Sequence, residues 1–110
     1  MLDLAAQIES AANFISDRWT QRPRVGIILG TGLGSFTERI QAATRIPYTD
    51  TPHFPQSTGI GHELVCGNLD STPVVAMQRR FHLYEGYSAQ IVSFPVRVMA
   101  QLGIELLIVS

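Results

Sequence analysis

The run VGIIL, Val25–Leu29, most limits the folds open to this chain. An unbroken apolar run of strand length lacks the alternation of a strand with one wet face. It fits a strand covered on both faces, as in a parallel sheet with layers on either side. Two more such runs follow, TPVVAM at Thr72–Met77 and IELLIVS at Ile104–Ser110, and the last also predicts a buried strand. ELVCGNL, just before the first of these, and TPVVAMQ read as a hairpin turning at Asp70–Ser71.

Helical signals surround these strands. Leu4, Ile8, Ala11, Ala12, Ile15 and Trp19 recur at helical spacing and predict an amphipathic helix over Leu2–Trp19. A short helical turn is expected at Ser35–Ile40. Ser88 can cap a helix running to Leu102, with Gly103 as its stop and a kink at Pro95. The segment Ile46–His62, with three prolines, two glycines and a serine, predicts an irregular loop. Strand, glycine loop, hairpin, helix and strand together make the first half of an α/β architecture. With 110 residues, one domain is expected, and the final apolar strand suggests an incomplete chain.

The net charge of −1 gives no general attraction to nucleic acid or to an anionic membrane surface. All eight basic residues are arginine, so an anion site here must use the planar guanidinium fork. The single cysteine, Cys66, rules out an internal disulfide and sits in a strand pattern that predicts a buried, inert thiol. The N-terminus lacks the basic start and long apolar core of a signal peptide, and no run reaches membrane-spanning length. A cytoplasmic protein is expected.

GTGLG, Gly30–Gly34, follows the first strand, where glycines let the backbone approach an oxyanion and present N–H groups to it. The loop is no P-loop, since lysine is absent. Ser35 replaces the last glycine of a dinucleotide fingerprint, and Asp50 lies in the proline-rich segment. A tight turn without a ligand also fits. Thr31 adds a hydroxyl donor among the amides.

RRFHLYEGY, Arg79–Tyr87, follows TPVVAM. If strand geometry continues, Arg80, His82 and Tyr84 share one face, and Arg79, Phe81 and Leu83 the other. A fixed cation, an imidazole and a phenol side by side suit a dianion next to a hydroxylated substrate. Taken singly, Arg80 also reads as a surface charge and His82 as a satisfied core residue. The three histidines and one cysteine show no metal-ligand spacing, so no metal is expected.

GIILGTGLG, HFPQSTGIGH, RRFHLYEGY and FPVRVMAQLGIELLIVS, in that order, resemble the trimeric class of purine nucleoside phosphorylases. The resemblance covers nearly all the chain after the first helix. It implies the nucleoside phosphorylase fold, a central mixed β-sheet flanked by helices, with residues 1–110 its N-terminal half. It also implies reversible phosphorolysis of purine (deoxy)ribonucleosides to free base and (deoxy)ribose 1-phosphate. The partners would be the nucleoside and orthophosphate as co-substrate, with no cofactor, and the full-length protein a homotrimer. Position by position, Thr31, His62, Arg80, Phe81 and His82 match phosphate-binding residues, and Tyr84 matches a ribose contact. His82 and Glu85 are the catalytic candidates, Glu85 as the acid that orients His82 or else as a solvated carboxylate. Arg79 departs from the glycine that often precedes the phosphate arginine. His53 is expected on a loop surface, and Trp19 in the core or a subunit contact. A methylthioadenosine phosphorylase-like enzyme and a truncated, non-catalytic phosphate-binding remnant are the alternatives. The family's base-reading glutamate and asparagine fall outside these residues.

Overall fold

A computed structural model describes residues 3–30, 34–54, 62–78 and 89–109. Helix α1, Leu4–Arg18, opens on Asp3, whose carboxylate accepts the Ala6 N–H at 2.8 Å. This satisfies one of the backbone donors left free at a helix start. Its apolar stripe buries Ala11, Ala12 and Ile15. Trp19, just past the helix, is 5% exposed and belongs to the core, as the sequence allowed.

Five strands form one mixed sheet: β1 Val25–Ile28, β2 Gln41–Pro47, β3 Glu63–Leu69, β4 Thr72–Met77 and β5 Leu106–Val109, in the order β2-β3-β4-β1-β5. β1 lies between β4 and β5 and pairs in parallel with both; β2, β3 and β4 pair antiparallel. The predicted hairpin is present, and Asp70 takes the left-handed conformation its turn needs, φ 55°. The expected turn after the glycine loop is a 3₁₀ helix over Gly34–Arg39.

Helix α2, Ala89–Leu102, crosses from β4 to β5 and carries Pro95 inside it. It ends as expected at Gly103, whose φ of 103° suits glycine alone among ordinary residues. The Gly103 and Ile104 N–H groups donate back to the carbonyls of Ala100 and Met99, at 3.0 and 3.4 Å. That pair of bonds is a Schellman closure.

Strand alternation sorts the core into two layers. Ile28, Leu64, Cys66, Val75 and Met77 face α1 and α2 and pack with Ile15, Phe94, Val98 and Met99. Ile27, Leu29, Val65, Val74 and Ala76 face the other way, where Ile40 and Phe36 flank them. On that side an open groove of about 450 Å³ lies among Val25, Ile27, Phe36, Val74 and Ile108. Both described helices thus lie on one face of the sheet.

The structure corrects two expectations. Gln41–Pro47 is a strand, so the predicted loop begins later than Ile46. Residues 48–54 are anchored rather than loose. Tyr48, Thr51 and Phe54 are buried, the Thr51 hydroxyl donates to the Pro47 carbonyl at 3.0 Å, and Phe54 meets Phe94 edge-on at 5.9 Å. Second, β5 is a strand but not a buried one: Leu106, Leu107, Ile108 and Val109 are 36–56% exposed. β5 pairs with β1 on one side, and among the described residues its apolar side chains are only partly covered.

Candidate functional site

The sheet register brings the ends of β1, β4 and β5 and the start of β3 to one edge of the sheet. Ile28 lies opposite Met77 on one side and Val109 on the other, so β1, β4 and β5 finish level. β3 runs the other way, and Leu64 lies opposite Met77, so its first residues share that end. The Leu29 N–H donates to the Met77 carbonyl at 3.1 Å, and the Gln78 N–H to the Glu63 carbonyl at 3.2 Å. Gly30, Gln78 and His62 are therefore neighbours at the carboxyl edge of β1 and β4. In open α/β sheets, ligands bind in the crevice outside the carboxyl ends of the strands.

Of the predicted site residues, His62 is among those described. It is half-buried, directly before β3. Its carbonyl accepts the Tyr48 N–H at 3.1 Å, and its ring lies 6.3 Å from the Tyr48 ring, which is fully buried. The segment 48–54 thereby forms a backing for His62. Thr31, Arg80, Phe81, His82, Tyr84 and Glu85 lie outside the described residues. The chain enters their segments from Gly30 and from Gln78, at the edge just defined.

One polar arrangement beside this edge is silent in the sequence. Arg45 Nη1 donates to Glu63 Oε1 at 2.7 Å and to Gln78 Oε1 at 3.4 Å. The residues are 18 and 33 positions apart, so no local spacing announces them. They meet because Arg45 stands opposite Val65 in the β2–β3 register, which puts Glu63 on its diagonal.

Other candidates fall away from the edge. Cys66 is fully buried, and burial pushes its thiol up to about 12, the inert state expected of it. His53 is exposed, as expected. Among the described residues, no three His, Cys, Asp or Glu side chains cluster as a metal site, and no helix is long and apolar enough to cross a membrane.

Comparison with known proteins agrees with this arrangement. The sequence profile of the phosphorylase superfamily matches residues 24–110. Purine nucleoside phosphorylase 1 of Geobacillus stearothermophilus is 52% identical over 105 residues, which are 94% of this chain and 38% of that protein. The mouse purine nucleoside phosphorylase is 45% identical, over 93% of this chain and 36% of its own length. Isoform 2 of the Schistosoma mansoni enzyme, solved with cytosine and ribose-1-phosphate, superposes with a TM-score of 0.90 at 40% identity, covering 94% of this chain and 37% of that one. A Schistosoma mansoni purine nucleoside phosphorylase solved with inosine superposes at 0.85 and 40% identity, over 94% of this chain and 37% of that one. The chain thus spans well under half the length of these relatives. On its sheet order, its edge and this likeness, the chain belongs to the phosphorylase superfamily.

Proposed function

We propose that residues 1–110 are the N-terminal part of one α/β purine nucleoside phosphorylase domain, and that the whole protein splits purine (deoxy)ribonucleosides with orthophosphate, reversibly, into base and pentose 1-phosphate. The carrying observation is the convergence of Gly30, Gln78 and His62 at the carboxyl edge of two parallel strands. The two segments richest in anion-binding chemistry leave from that edge, GTGLG after β1 and RRFHLYEGY after β4.

The chemistry asks for such an arrangement. Orthophosphate is a weak, strongly hydrated nucleophile, and breaking the glycosidic bond builds positive charge on the sugar. A dianion stripped of water and held below the sugar stabilises that charge and avoids the entropy cost of encounter. Thr31, Arg80, Phe81 and His82, with His62 beside them, are assigned to phosphate, and Tyr84 to the ribose. His82, with Glu85 as its orienting acid, is assigned to catalysis. Orthophosphate is the only companion of the nucleoside in this reading, with no cofactor. Assembly as a homotrimer and a cytoplasmic setting accompany it, on the strength of the sequence resemblance. The 110-residue chain by itself is expected to be inactive.

The test uses the protein encoded by the complete reading frame, with inosine and guanosine as substrates. Base release should require orthophosphate and yield ribose 1-phosphate. Release at an unchanged rate in phosphate-free buffer would mark a hydrolase instead.

A further inference from the structure

We infer that Arg45, through Glu63 and Gln78, is a positioning residue for His62. The inference rests on the assignment of His62 to phosphate. Arg45 sits on β2, an edge strand, and belongs to none of the motifs that mark the site. Its guanidinium nevertheless reaches the first residue of β3 and the residue just after β4, at 2.7 and 3.4 Å. Glu63 follows His62 directly, and Gln78 precedes Arg79 directly.

These contacts complete a frame around His62. The Gln78 N–H donates to the Glu63 carbonyl, and the Tyr48 N–H to the His62 carbonyl. The backbone of residues 62–63 is thus held by β4 on one side and by the end of β2 on the other. Arg45, through Nη1, fastens the same three strands through side chains. Arg45 and Glu63 side chains are 42% and 23% exposed, so their ion pair contributes little to overall stability. Its effect is local: it sets how far the start of β3 can move from the end of β4. A neutral side chain of similar length fills the space but cannot hold both acceptors.

The experiment compares Arg45→Met, Arg45→Lys and His62→Ala in the protein encoded by the complete reading frame. Arg45→Met should raise KM for orthophosphate about three- to tenfold with little change in KM for inosine, and Arg45→Lys should recover part of it. In a His62→Ala background, Arg45→Met should add no further change. A second readout does not depend on activity. Exchange of the Tyr48 and Gln78 amide hydrogens should quicken about tenfold in Arg45→Met, while Val75 in mid-strand is unaffected. Unchanged exchange overturns the positioning role. Faster exchange with an unchanged phosphate KM, or a full Arg45→Met effect in the His62→Ala background, overturns its link to phosphate. If the unsubstituted protein consumes no phosphate, the proposed function fails, and the exchange rates still decide whether Arg45 holds His62.

Discussion

The β3–β4 hairpin and β5 are written in the same apolar alphabet, ELVCGNL and TPVVAM against ELLIV, yet they end in opposite environments. Leu64, Val65, Cys66, Val75, Ala76 and Met77 are at most 2% exposed, while every residue of β5 is at least 36% exposed. The hairpin has strands on both sides, helices over one face, and the 3₁₀ segment near the other. Among the described residues, β5 has β1 on one side, with Ile108 at the rim of the open groove. An apolar run therefore specifies an extended segment that can be covered; its neighbours decide whether it is. The glycines follow the same rule. A Cβ on Gly67 of the hairpin would lie 2.5 Å from the Gln41 carbonyl oxygen, a contact that only close strand packing creates.

The contrast can be broken most sharply by truncation. Leu64→Ala empties a site enclosed on all sides and should cost about 2–5 kcal/mol. Urea unfolding of the 110-residue chain measures it, and a loss below ~1 kcal/mol would mean that the hairpin is less enclosed than its burial indicates.

An intermediate effect concerns alkaline pH. The folded state holds the Cys66 thiol protonated, up to about 12, while an unfolded thiol titrates near 9. Between those values the unfolded chain binds fewer protons than the folded one, so stability falls as pH rises. Below pH 9 this contribution is fully present. Melting temperature should drop from pH 8.5 to 10.5 more steeply in the unsubstituted chain than in Cys66→Ala, although Cys66→Ala starts lower. Parallel slopes would show that Cys66 is not desolvated in solution.

The smallest effect is expected at the edge. Ile108→Ala should change unfolding free energy by under ~1 kcal/mol in the same chain, because Ile108 is 46% exposed and loses far less burial than Leu64. Ile108→Lys should reduce self-association in sedimentation, since a charge on an open strand edge opposes strand addition.

Much of this fold was legible because its elements carry strong local signals. VGIIL, the hairpin, the helical spacing of α1 and the Gly103 stop all reappear at or near the expected residues. β2 was not legible. QAATRIP has no alternation, one proline and a mostly exposed surface, and its pairing is irregular between Gln41 and Thr44. It is a strand because β3 offers it a partner, which local sequence does not encode. The run of β5 was legible as an apolar strand that needs covering, and its exposed face in the 110-residue chain follows from having β1 as its one strand neighbour among the described residues. At the candidate site, the glycine loop and the arginine–histidine cluster were visible as residue types, and the register of β1, β3 and β4 brings the ends from which they depart together. Arg45 was invisible, because its partners are near only after three strands have paired.

Under the proposed function, an anion is held at the carboxyl edge of β1 and β4, with Arg80 gripping it. The most direct measurement is the KM for orthophosphate and for inosine in Arg80→Ala and Arg79→Ala of the protein encoded by the complete reading frame. Removing one partner of a buried charged contact costs on the order of 2–5 kcal/mol. Arg80→Ala should therefore weaken phosphate far more than inosine, while Arg79→Ala leaves phosphate nearly unchanged. The opposite pattern, with Arg79→Ala doing the damage, would contradict the assignment of Arg80 and with it those of His82 and Tyr84.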